Sequence, residues 1–333
     1  MLPPSTDWRE ITNPDEAQRF DGYAATLKEI QRKRNAKYGT GRALHRKQLI
    51  AARGRLEVLT DLPVEVAHGL FALPANYDVT VRLSNGSMNM QSDRVGDIRG
   101  YAIKVHGVTG ESALGGPATA QDFLLINRVS FGMRDSAAFM GFVLAASNGL
   151  GSLIMYFIRN YGFFAGLARL RVLKDGLSTP FGGFANVPFN SVVPVRCGPY
   201  AMRVRLCPAT TDVDPAAAED WAADIHRRLK AGPLVHALQV QLFVDEQTTP
   251  IEDASVAWSE SHAPFVTVGR LTLPQQDTNS AEGQQRARDA EAASFDPWTA
   301  LVEHTPLGDV NRARKVAYYE SAQARAASSS EFA

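Results

Sequence analysis

The sequence predicts an α+β fold, a mainly antiparallel sheet or barrel with helices packed around it, and three observations predict it. Six segments carry the two-residue apolar/polar alternation of strands. These segments do not alternate regularly with helices, as a parallel βαβ sheet would require. Helical patterns sit before, between and after them, and no internal repeat or Gly/Ser linker divides the 333 residues.

In chain order, residues 14–37 (PDEAQRFDGYAATLKEIQRKRNAK) read as a helix with a polar face. DVTVRLSN (78–85) sets Val79, Val81 and Leu83 against Thr80, Arg82 and Ser84, the period of a strand. Asn85 and Gly86 after it signal a turn. RGYAIKVHG (99–107), DFLLIN (122–127), AMRVRL (201–206), HALQVQLFV (236–244) and FVTVGRLTL (265–273) complete the strands. Between Asp135 and Arg159 runs SAAFMGFVLAASNGLGSLIMYFI, uncharged and long enough to span a membrane. The SNGLGS piece at its centre favours two buried helices joined at a break. An apolar surface over 136–158 that meets lipid or a lipid-like substrate stays open beside that reading. DPAAAEDWAADIHRRLKAG is a further helix, with Asp214 and Pro215 suited to its N-cap and first turn. Helices at 279–293 and 309–327 follow. The expected organisation is one domain over residues 20–327, with flexible tails at 1–19 and 328–333.

Composition narrows the function classes. With 45% hydrophobic and 21% charged residues the chain can bury a sizeable core and is not disordered. Lys+Arg and Asp+Glu balance at 35 each, so nothing supports nucleic-acid binding. Cys197 and Cys207 are too few for a disulfide framework and lack CxxC spacing. They read as reduced core residues of an intracellular protein, and a cytoplasmic location is expected. The first residues, MLPPSTDWREITNPDE, show no basic region followed by an apolar run, so no secretory signal is expected. HExxH, P-loop and GxSxG motifs are absent, which disfavours a hydrolase, and ALGGPATA lacks the spacing of a dinucleotide loop.

Most histidines stand alone, and His68, His106, His226, His236, His262 and His304 read as structural. His45 differs in its company: RALHRKQL places Arg42 three residues ahead of it. Arg82 and Ser84 share the polar face of their strand, opposite Val81 and Leu83. Arginines projecting from a barrel strand want anions, though surface salt bridges account for them equally well. In NRARKVAYYESAQAR, Arg314 lies four residues before Tyr318 and Arg325 seven after it, so all three share one helical stripe. An amphipathic last helix with solvated arginines and a core tyrosine also fits that spacing.

RALH, GLFALPANYDVTVRLSNG, VGDIRGYAIKV and NRARKVAYY, in this order, resemble the haem catalase superfamily, and most of all its short catalase-like peroxidases. QLFVDEQTTPIEDASVAW (241–258) resembles the segment that precedes the final helices there, and the likeness covers roughly residues 35–325. The resemblance implies a haem b cofactor with Tyr318 as the iron ligand and Arg314 as its partner. A free tyrosine has a pKa of about 10, so phenolate at neutral pH means lowering it by about three, roughly 4 kcal/mol. Ferric iron supplies much of that, and a nearby guanidinium adds to it. The same resemblance assigns Arg42, Arg82 and Arg325 to the haem propionates. His45 becomes the proton acceptor and donor in heterolytic O–O cleavage, with Ser84 orienting it. Phe131 corresponds loosely to an aromatic over the distal haem face, and plain core describes it equally well.

Two positions depart from the family pattern. Its distal asparagine falls where this chain has Thr119 and Ala120, with Gln121 close by, and Gln48 replaces a glycine three residues after His45. Loss of the asparagine argues against efficient hydrogen peroxide dismutation, unless Gln121 substitutes. The implied activity is reduction of an organic hydroperoxide, such as a fatty acid hydroperoxide, with an external electron donor. A fatty acid hydroperoxide isomerase of the allene oxide synthase type is the alternative, and a non-catalytic haem carrier is a third. Homo-oligomers occur in the family.

Overall fold

The computed structural model describes residues 2–178, 181–210 and 220–325. Its strands are β1 (Gln48–Val58), β2 (Asn76–Asn85), β3 (Arg99–His106), β4 (Ala120–Ile126), β5 (Phe189–Asn190), β6 (Val195–Cys197), β7 (Tyr200–Pro208), β8 (Leu234–Leu242) and β9 (Phe265–Leu273). They run antiparallel in the order β5-β4-β3-β2-β1-β9-β8-β7-β6. A second pairing, β5 with β7, closes eight of them into a barrel and leaves β6 as an extra strand on β7. The helices are α1 (Glu16–Tyr38), α2 (Ser136–Ser147), α3 (Leu150–Tyr161), α4 (Phe163–Ser178), α5 (Trp221–Ala231), α6 (Ala281–Ala292) and α7 (Asp309–Gln323). The antiparallel α+β class expected from the alternation is observed, and of sheet or barrel the structure has the barrel: an antiparallel β-barrel core with surrounding helices.

The barrel interior is filled by the apolar face of each strand. Val81, Leu83, Val105, Leu125, Val240 and Leu271 belong to one buried cluster. Space inside is tight: a Cβ at Gly54 would meet Leu273 Cδ2 at 2.7 Å and Val79 Cγ2 at 2.9 Å. That constraint helps explain why β1, which carries no expectation above, is hard to see in the sequence. Its inward positions include the small Ala52 and Gly54, and these weaken the apolar signal of a strand that pairs with both β2 and β9.

Four expectations need correction. The polar face of β2 is not solvated: Thr80, Arg82 and Ser84 are all buried, because helices and the 41–47 segment cover the outside of this part of the barrel. The break at SNGLGS is real, since α2 ends at Ser147 and α3 begins at Leu150. The pair is not uniformly buried, however. Phe157 is the one buried residue of α3, which lies outside α2. A further exposed helix, α4, packs on α3 without having been expected. Residues 2–19 are not a free tail: Leu2 and Ser5 donate backbone hydrogen bonds to His262 and Phe243, and Trp8 Nε1 donates to Pro199 O at 2.8 Å. Arg312 explains much of this docking. It draws together the carboxylates of Glu10, Glu16 and Glu252 at 2.6–2.9 Å, so the N-terminal segment supplies counter-charge to α7. Asp214, Pro215 and residues 328–333 lie outside the described residues; the α5 N-cap is Asp220, which accepts from Ala223 N at 2.9 Å.

Candidate active site

A largely apolar cavity lies on the outer side of β2, β3 and β4, roofed by α7 and by parts of α1 and α2. Two of its walls carry the chemistry. On one wall, the chain leaves α1, turns through 41–47 and enters β1. His45 sits in that turn with φ +51°, a left-handed conformation unusual for a residue other than glycine. Its backbone is pinned at both ends: its N–H donates to Gly86 O at 3.0 Å, and its carbonyl accepts from Arg82 Nη2 at 3.0 Å. The AsnGly signal thus opens a loop that returns to hold the histidine.

The side chain is fixed as firmly as the backbone. His45 Nδ1 lies 3.1 Å from Ser84 Oγ. Neighbouring Gly100 on β3, opposite Ser84 in register, makes room for both: a Cβ there would stand 2.5 Å from Nδ1 and 2.8 Å from Ser84 Oγ. With Nδ1–H donating to Ser84 Oγ, the Nε2 lone pair is the ring's free acceptor. Burial, followed by the charges of Arg82, Arg314 and Arg42, pushes the His45 pKa down to about 3, so the imidazole is neutral at physiological pH.

Beside it lies a cation cluster. Arg82 is buried and donates through Nη2 to Glu291 Oε2 at 2.9 Å, and Arg42 Nη1 is 2.6 Å from Glu291 Oε1. Arg42 and Arg325 also donate to the carbonyls that end α6, Arg42 to Ala293 O at 2.8 Å and Arg325 to Glu291 O at 3.0 Å. Arg42 and Arg82 share one carboxylate while Arg325 reaches only a backbone carbonyl, so three guanidinium groups cluster around a single negative charge. The Nε of Arg325 is buried without a partner among the described residues. Burial and mutual repulsion hold Arg42 and Arg325 below the ordinary arginine value. Such a cluster fits a dicarboxylate held bidentately.

On the other wall, Arg314 Nη2 donates to Tyr318 Oη at 3.1 Å, and the guanidinium lies 4.9 Å from the tyrosine ring centroid. Arg314 is itself aimed by Asn311, whose Oδ1 accepts from Nη1 at 3.1 Å. The Asn311 amide is anchored on Pro194 O and Leu307 O, and its backbone carbonyl takes the Trp298 indole N–H. Tyr319, one step round the helix, is exposed.

The cavity therefore brings together His45, Ser84, Arg42, Arg82, Arg314, Tyr318, Arg325 and Phe131, whose ring packs against Phe139 at 4.8 Å between centroids. It does not include Gln121. That side chain is buried on the opposite face of β4, accepting from Leu301 N at 2.9 Å and donating to Asp122 O. Its strand parity faces the barrel interior, so it ties down the 296–301 loop and is not the distal amide. Among the described residues, no asparagine or glutamine lines the cavity. Gln48 is also a structural contact, donating to Ala287 O of α6. Sequence reasoning missed Gly100, Asn311 and Glu291. Glycine within a strand and asparagine three residues before Arg314 were available signals. Nothing local marks Glu291.

A search of family models and one of curated proteins each found no match. Solved structures did match. A bacterial catalase aligns with TM-score 0.64 and 16% identity, a fungal catalase with 0.67 and 17%, and catalase A from Saccharomyces cerevisiae with 0.65 and 16%. The fold is that of the catalases. Each comparison covers 98% of this chain but only 64–67% of the catalase, so the chain spans about two thirds of their length. The shared fold accommodates the cavity on the outer side of the barrel, between the strands and α7.

Proposed function

We propose that this protein is a haem-dependent peroxidase that reduces organic hydroperoxides and has little catalase activity. The observation that carries the reading is the meeting of a His45–Ser84 pair, an Arg314–Tyr318 pair and an under-neutralised arginine cluster in one apolar cavity. Tyr318 would ligate the iron of haem b, with Arg42, Arg82 and Arg325 on its carboxylates. When bound, haem supplies the two-electron chemistry that cleaves the O–O bond.

The protein's own part is proton handling and exclusion of water. Nε2 of neutral His45 accepts the hydroperoxide proton and returns it to the leaving oxygen, which departs as an alcohol. A donor of two electrons and two protons then completes the balance: hydroperoxide plus reduced donor gives alcohol, water and oxidised donor. Leu27, Leu124, Phe139 and Met140 offer an acyl chain apolar walls. The lack of a side-chain amide in the cavity favours an organic hydroperoxide over hydrogen peroxide dismutation. The same apolar walls suit a hydroperoxide isomerase of the allene oxide synthase type, which needs no external electrons.

The test is an absorption spectrum of protein expressed with haem available, beside Tyr318→Phe, followed by product analysis with a fatty acid hydroperoxide. A ferric haem spectrum altered or lost in Tyr318→Phe, with donor-dependent alcohol formation, is the expected result. Donor-independent allylic epoxide would transfer the protein to the isomerase reading, and failure to take up haem would end both.

A further inference from the structure

The helices α2, α3 and α4 form a stack that starts at the cavity and ends in solvent. Phe139 and Met140 of α2 line the cavity. Its other side meets α3 closely, for a Cβ at Gly141 would fall 2.7 Å from Tyr156 Cε2. Gly166 of α4 in turn sits on the backbone of Phe157 in α3, where a Cβ would be 2.6 Å from the Phe157 carbonyl. These glycines let the helices nest, and the stripe of α4 containing Gly166 and Leu170 faces α3.

The rest of α4 is uncovered. Phe164 is 86% exposed, Val172 72% and Phe163 58%, and Leu150 at the start of α3 is 68% exposed. Large apolar groups this exposed, adjacent along two helices, mark an interaction surface. Charge says what it meets. Over α3 and α4 the sequence carries Arg159, Arg169, Arg171 and Lys174 against Asp175 alone, in a chain whose total charge balances. Arg171 and Asp175 approach to 3.8 Å while both stay exposed, so that pair competes weakly with another anion. Exposed phenylalanines with a fringe of lysine and arginine are the composition of helices that lie in the interface of anionic bilayers. A second copy of the same face would bring these cations onto each other.

We propose that the α3–α4 face binds the surface of anionic membranes, with Phe163 and Phe164 inserted among the acyl chains and Arg169, Arg171 and Lys174 at the headgroups. No helix among the described residues is long and apolar enough to cross the bilayer, so the contact is peripheral. The surface ends the stack whose first helix, α2, walls the cavity, which suits a substrate drawn from lipid. The inference itself does not depend on haem or turnover.

The test is flotation of the full-length protein with vesicles of phosphatidylcholine alone or with added phosphatidylserine, with sedimentation velocity in parallel. The expected result is co-flotation with the anionic vesicles, weakened by salt. Phe163→Ser with Phe164→Ser, or Arg169→Glu with Arg171→Glu, should reduce binding about tenfold or more. Both pairs are exposed, and an unchanged circular dichroism melt keeps the comparison fair. Equal binding by parent and variants would overturn the proposal, as would no binding by the parent. A dimer dispersed by Phe164→Ser without lipid binding would assign the face to a second copy instead.

Discussion

Around His45 the protein places charge on charge and leaves few groups without partners, whereas along α3 and α4 it leaves large apolar side chains in water. The first lines the cavity, and the second is stacked behind its α2 wall. The first is made of distant pieces of chain: His45, Arg82, Glu291 and the α7 end with Arg314 and Arg325 are four separate segments. Its geometry is over-determined, with backbone, side chain and neighbouring glycine all fixing one imidazole. The α3–α4 stack is local in sequence and rests on two glycine contacts and a few hydrogen bonds, such as Tyr156 Oη to Ala138 O and Arg128 to Gly176 O. Precision is concentrated where protons would move, and tolerance where a surface is offered.

That contrast can be broken most sharply at His45. His45→Ala should leave haem content unchanged and lower hydroperoxide turnover by about 10²-fold or more, as loss of a general base does. Retained turnover would remove His45 from the chemistry. Gly100→Ala is the next test, because its Cβ has nowhere to go without displacing His45 or Ser84. Turnover should fall by about 10-fold to 100-fold, and a parent-like rate would mean that the imidazole position matters little. Glu291→Gln removes the carboxylate shared by Arg42 and Arg82. Stability of the haem-free protein should drop by about 1–3 kcal/mol, less than for a fully enclosed pair because Glu291 keeps some exposure. An unchanged urea midpoint would show that backbone carbonyls alone satisfy the arginines.

Acid offers a gentler probe of His45 and of two further buried histidines. Burial lowers the pKa of His45 to about 3 and those of His236 and His304 to about 4. Below about pH 6.5 the unfolded chain takes up protons that the folded chain refuses, so stability falls with falling pH. The loss should begin near pH 6.5 and run to about pH 4, with a slope of up to about 1.4 kcal/mol per pH unit for each histidine. Urea midpoints at pH 7 and pH 5 check it, and His45→Gln should flatten the slope. The smallest effect belongs to the other region: Phe164→Ser should change folding stability by no more than about 0.5 kcal/mol. A larger loss would mean that α4 is covered by more than α3.

Much of this was legible in the chain. Period-two alternation announced most barrel strands, and the spacing of Arg314 to Tyr318 fixed their contact, because both depend on neighbours within one element. Expectations failed where burial came from elsewhere. The polar face of β2 was as compatible with surface salt bridges as with a buried anion site until the 41–47 segment and α6 covered it. Gln121 looked like a candidate for the distal amide until strand parity turned it into the barrel.

Local pattern, then, determined on its own the antiparallel α+β class, the contact of Arg314 with Tyr318 and the break between α2 and α3. Only the tertiary structure decided that Arg42 would share Glu291 with Arg82, that Gly100 would make the room His45 needs, and that Glu10 and Glu16 would dock on Arg312. Those are contacts between groups far apart in sequence. No local periodicity encodes them, because they exist only after the barrel closes and brings its outer surface under the helices.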